Sequence, residues 1–89
     1  MKIKDNLFVR QIGKEYLMVS ESGSDLNYTR VISLNYTAAF LVEKVGNKSF
    51  TREDWVEMLV QKYSISRELA NKDVDNLIKK LKKENLLED

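Results

Sequence analysis

The sequence predicts an α+β fold: a three-stranded antiparallel sheet followed by three helices. Two observations carry this. Runs rich in β-branched and aromatic residues fill the stretch from Leu7 to Leu34, and from Asn35 onward the apolar spacing becomes helical. The links between the strand-like runs are too short for crossover helices, so the strands should form a meander.

The expected strands are Leu7-Phe8-Val9, Tyr16-Leu17-Met18-Val19 and Tyr28 to Leu34. Gly13-Lys14 suits a tight turn between the first two, and Ser22-Gly23-Ser24-Asp25 a looser connection to the third. Such a sheet is near the minimum for independent stability and needs a cover for its apolar face. The helices supply it. Asn35 is a good N-cap for a segment from Tyr36 to Val45, stopped by Gly46-Asn47. Thr51 and Asp54 make a weaker capping box for a second helix, with Phe50 and Trp55 at the two positions of a hydrophobic staple. Trp55, Val56, Leu59, Val60 and Tyr63 then form one stripe. Ser64-Ile65 interrupt it, and Ser66 caps a third helix whose face is Ala70, Val74, Leu77, Ile78 and Leu81. Asn85 suits a left-handed stop, after which Leu86-Leu87 can fold back onto the core. The order, with its last two helices closely joined, relates the chain to winged helix-turn-helix domains. Residues 1–89 read as one domain without repeats or linkers.

Composition narrows the function. The chain has 89 residues, with no Cys, His or Pro, and 15 basic against 14 acidic residues for a net charge of +1. Without Cys or His there is no thiolate or imidazole nucleophile, base or metal ligand, so catalysis would rest on carboxylates, Lys or Tyr. The near-neutral balance offers no electrostatic case for nucleic acid. No apolar run approaches the roughly 20 residues of a membrane span, and Leu7-Phe8-Val9 is too short for a signal peptide, so a cytoplasmic location is expected.

Few residues suggest chemistry. Lys79, Lys80, Lys82 and Lys83 spread around a helix and complement its negative end, which reads mainly as a solvated terminus. Glu53 and Asp54 belong to a helix start, and Asp73 and Asp75 point to different sides, so neither pair converges as acid and base. Trp55 and the tyrosines read as core or core-edge residues. The third strand is more informative. It should lie at an edge of the meander, and Arg30-Val31-Ile32-Ser33-Leu34 contains no Pro and one charge, so little discourages a further strand from pairing with it. An open edge beside an amphipathic helix is what strand addition by an extended peptide requires. A covering loop or a second copy of the chain would satisfy the same edge.

Ile32-Ser33-Leu34-Asn35-Tyr36-Thr37-Ala38-Ala39-Phe40-Leu41 resembles the strand-to-helix signature of the PQQ synthesis protein D (PqqD) family. The ending is similar too, with Asp73-Val74, Leu77, Leu81 and Leu86-Leu87-Glu88. The resemblance covers nearly the whole chain and implies a recognition domain for precursor peptides of ribosomal natural-product pathways. Such domains bind a leader segment and present its core to a modifying enzyme, often a radical SAM protein. In the family the leader adds beside the third strand, against the third helix. That implies a binding strand of Arg30, Val31, Ile32, Ser33 and Leu34, and helix residues Asp73, Asn76, Leu77 and Lys80. Two positions depart from the family: Asn85 replaces a frequent Gly, and Val45-Gly46-Asn47-Lys48 lacks the usual acidic residue.

The leading expectation is therefore a non-catalytic peptide chaperone without a cofactor, serving PQQ formation or another peptide modification. A winged-helix DNA-binding regulator is the alternative, and a carboxylate-dependent enzyme a third. Dimerisation through the open edge is a further option.

Overall fold

The computed structural model describes residues 1–4, 7–21 and 29–88. In chain order the elements are β1 (Lys2–Ile3), β2 (Leu7–Ile12), β3 (Glu15–Glu21), β4 (Thr29–Leu34), α1 (Tyr36–Val45), α2 (Arg52–Tyr63), α3 (Arg67–Lys83) and β5 (Leu87–Glu88). The expected three-stranded sheet is β2-β3-β4, antiparallel throughout. β2 and β3 extend further than their apolar runs, because pairing from Leu7↔Ser20 to Ile12↔Glu15 brings in Arg10, Gln11 and Glu15. Gly13, at φ 63°, makes the turn between them. The expected connection Ser22-Gly23-Ser24-Asp25 and the start of the third strand at Tyr28 lie outside the described residues.

The β3–β4 register explains which face is covered. Tyr16 opposes Leu34 and Met18 opposes Ile32, and cross-strand partners share a face. Met18, Ile32 and Leu34 are buried, whereas Ser33, one residue out of phase, is exposed.

A second sheet was not foreseen. β1 pairs antiparallel with β5, Lys2 opposite Glu88 and Ile3 opposite Leu87. Each strand is only two residues long, too short to show an alternation in sequence. The return is prepared by Asn85 at φ 60°, as expected for a left-handed stop, and by a bond from the Leu86 N–H to the Leu81 carbonyl (2.9 Å). Leu86 is buried. The Lys4 N–H then donates to Leu86 O at 3.0 Å, and the Phe50 N–H donates to Met1 O at 2.7 Å.

Each helix begins where the sequence indicates. The Asn35 side chain accepts the Ala38 N–H at 2.8 Å and the Thr37 hydroxyl at 2.9 Å. Thr51 and Asp54 complete the reciprocal capping box, at 3.1 and 2.9 Å. Phe50 and Trp55 stack with ring centroids 4.1 Å apart, which realises the staple. Ser66 accepts the Leu69 N–H at 3.1 Å. Gly46 ends α1 at φ 54°, and Ser64 ends α2 in the left-handed region at φ 53°.

The core forms where α1 packs on the sheet and where α2 and α3 pack on each other and on α1. Trp55, Val56, Leu59, Ala70, Val74 and Leu81 have no exposed surface. Ile78, expected on the same face, is only partly buried against this cluster. Tyr36 departs further from expectation: it is 61% exposed, because it opens α1 on the side away from Thr37, Ala38 and Leu41. Among the described residues, no helix is long and apolar enough to cross a membrane.

Trp55→Ala should destabilise the fold by about 3–5 kcal/mol, since it removes the stack and leaves a cavity; urea denaturation measures this. Asn85→Gly should preserve stability, while Asn85→Val should lower it by about 1–2 kcal/mol through left-handed strain.

Candidate functional site

β4 is an edge strand of the sheet: β3 pairs with one side, and no described residue forms a strand on the other. Beside that edge lies a cleft of about 180 Å³ between α3 and the β4–α1 junction. Its apolar surface comes from Leu34, Ala38, Leu41, Leu59 and Leu77, and its polar surface from Ser33, Asn35, Thr37, Asp73, Asn76 and Lys80. Helical geometry brings the α3 group together, because Asp73, Asn76, Leu77 and Lys80 occupy i, i+3, i+4 and i+7 and so share one face. Thr37, Ala38 and Leu41 reach the cleft by the same spacing on α1.

Of the residues singled out in the sequence, Ser33, Leu34, Asp73, Asn76, Leu77 and Lys80 line this one cleft. Ile32 does not: its side chain points into the core and is 7% exposed, leaving only its main chain to the strand. The main chains of Arg30 and Val31 pair opposite Ser20 and Val19. The sequence reading missed the contributions of Asn35, Thr37, Ala38, Leu41 and Leu59. Their signal was present in the N-cap, the i, i+4 pair on α1 and the α2 stripe, but it read as helix formation and burial.

Charge is distributed unevenly along the cleft. Asp73 and Lys80 are two helical turns apart, about 10 Å along the axis. The Lys80 ammonium donates to the Ser33 main-chain carbonyl at 2.5 Å, bridging helix and edge strand. Asp75 points elsewhere, as its spacing from Asp73 requires, and takes two bonds from Arg52 of α2: Nε to Oδ1 at 2.5 Å and Nη2 to Oδ2 at 3.0 Å. The bond from Arg52 holds the Asp75 carboxyl below its ordinary range, and the same bond raises Arg52. Arg67 of α3 reaches Glu57 and Glu53 of α2. These exposed pairs brace α2 against α3 on the surface, each contributing little alone.

A separate aromatic group lies on α1 and the end of α2. Tyr63 meets Tyr36 edge-on at 5.4 Å and Phe40 at 5.7 Å, and Lys62 lies over the Phe40 ring. Burial, then the proximity of Tyr36 and Tyr16, raises the Tyr63 pKa. Lys79, Lys82 and Lys83 are exposed and do not line the cleft. Among the described residues, no group of three or more acidic side chains is placed to hold a metal ion.

A small antiparallel sheet followed by three helices, with a cleft beside its β4 edge, defines a winged-helix-like fold. The sequence matches the family model of coenzyme PQQ synthesis protein D (PqqD) over residues 12–87, and the chain belongs to that family. Its fold is similar to two solved structures. One, "TbiB1 in Complex with the TbiA(beta) Leader Peptide", has a TM-score of 0.70 and 21% identity, covering 99% of this chain and 95% of that one. The other, "Lasso peptide synthetase B1 complexed with the leader peptide", has a TM-score of 0.64 and 21% identity, covering 96% of this chain and 93% of that one. No curated protein matches the sequence significantly.

The Arg52–Asp75 pair yields a pH test. Because the folded Asp75 pKa is lowered, its stabilisation is fully present above the ordinary carboxylate pKa and is lost as pH falls through the lowered value. Asp75→Asn should therefore reduce the loss of stability on acidification below about pH 4, with little effect on the fold near neutrality. Denaturation curves of both proteins across that range measure the difference.

Proposed function

We propose that this chain is a non-catalytic peptide chaperone of the cytoplasm. It captures the leader segment of a ribosomally made precursor peptide and presents it to a modifying enzyme. The observation that carries this reading is the open edge of β4 beside a cleft with an apolar floor and polar rim. An extended segment added along β4 gains main-chain hydrogen bonds, each contributing about 0.5–1.5 kcal/mol net. Its side chains on one face then meet Leu34, Leu77 and the rim of α3, which gives sequence preference. Arg30, Val31, Ile32, Ser33 and Leu34 act as the docking strand, Ile32 through its main chain alone, and Asp73, Asn76, Leu77 and Lys80 as the reading face.

Membership of the PqqD family supports this reading, as do two similar folds solved with leader peptides. The modifying chemistry is assigned to a partner enzyme of the radical SAM class, in PQQ formation or another peptide modification. DNA binding is not favoured: the net charge is +1, and the cleft-facing side of α3 carries Asp73 and Leu77 beside Lys80. Pairing of two copies through β4 would occupy the same edge, so peptide binding should compete with any homodimer.

The edge can be tested without removing the sheet. Lys80 meets the Ser33 carbonyl in the cleft, so Ser33 presents its main chain to that side. Alternate residues of a strand share a side, which assigns Val31 to the open edge and Ile32 to the β3 ladder. Val31→Pro should therefore remove a free donor while sparing the ladder. Peptides selected from a displayed random library on the wild-type chain should bind this variant at least about fivefold more weakly, from a lost hydrogen bond near 1 kcal/mol. Unchanged affinity, with the fold intact by circular dichroism, would rule out strand addition at β4.

A further inference from the structure

Among the described residues, Lys80 is the one cation lining the cleft, and it is already engaged. Its ammonium lies 2.5 Å from the Ser33 carbonyl, a main-chain acceptor of the edge strand. An added strand needs acceptors along that edge for its own N–H groups, so Lys80 competes with the incoming main chain. Lys80 is exposed and its stem flexible, which lets the ammonium move without repacking the core. If it moves with no new partner, a charge-assisted bond is lost. A carboxylate on the incoming segment restores that bond and frees the carbonyl in one exchange.

We propose that Lys80 is a specificity residue, selecting segments that carry an Asp or Glu beside the apolar side chain that fills the cleft. In the free protein it latches the β4 edge. On binding, its ammonium passes from the Ser33 oxygen to the segment's carboxylate, and the released oxygen accepts a main-chain N–H. Asp73, about 10 Å away on the same helix face, repels a carboxylate at the opposite end of the cleft. The charge pair therefore also fixes which way the segment lies. This inference rests on strand addition at β4, and the experiment separates the two.

The probes are synthetic twelve-residue peptides of alternating Thr and Val around a central Leu, with Glu or Gln placed in turn at each neighbouring position. Binding is followed by amide chemical shifts of the isotopically labelled full chain, for wild type, Lys80→Met and Lys80→Arg. For at least one position the Glu peptide should bind wild type about two- to fivefold more tightly than its Gln partner, the scale of an exposed ion pair. Lys80→Met should abolish that preference while binding the Gln peptide at least as tightly as wild type does, because the latch is gone. Lys80→Arg should retain the preference. Equal binding of Glu and Gln peptides at every position, or a preference that survives in Lys80→Met, would overturn the role of Lys80 and leave strand addition standing. Shift changes that avoid β4 and α3 for all peptides, or no binding by any of them, would overturn both.

Discussion

Everything in this molecule depends on the separation between α3 and the edge of the sheet. That distance is set by α1, which packs on the sheet and on both other helices, while Ala70, Val74, Leu77 and Leu81 share a core with Trp55, Val56 and Leu59. Side chains with no solvent exposure fill their space at the density of a solid, so the helix cannot drift without opening a cavity. The cleft is the unfilled remainder of the same seam. Leu59 and Leu77 belong to both, buried in the core and lining the cleft. A recognition surface built this way is preorganised, and little ordering of the helix is left for a binding partner to accomplish.

Sequence reading went furthest where local chemistry decides the structure. Asn35, Thr51 and Ser66 each cap the helix they announce, and Phe50 meets Trp55 as the staple pattern requires. These features depend on residues within five positions of one another. The order of the meander was equally legible, since short links leave few alternatives. What escaped was non-local. The pairing of Lys2–Ile3 with Leu87–Glu88 joins elements at opposite ends of the sequence, and two residues carry no period. The exposure of Tyr36 is likewise a matter of which side of α1 the sheet takes, which its own helix does not record.

The cleft shows the same division. Asp73, Asn76, Leu77 and Lys80 could be grouped because helical spacing alone places them on one face. Ser33 and Leu34 followed from the edge position of the strand. The α1 contribution was hidden because Thr37, Ala38 and Leu41 serve two purposes, packing against the core and bordering the cleft, and sequence registers only the first. Ile32 marks the reverse limit: a strand residue can belong to a binding edge through its main chain while its side chain is committed to the interior.

The two-residue sheet has a consequence for how such a module can be carried. Paired strands lie about 4.8 Å apart, so β1 and β5 bring the start and the finish of the fold to one place. A chain entering and leaving at neighbouring points can be spliced into a surface loop of a larger protein with little loop-closure entropy to overcome. The old ends could equally be bridged by a few residues and new ones opened elsewhere. The smallest element of the structure thus sets the entry and the exit of the fold side by side.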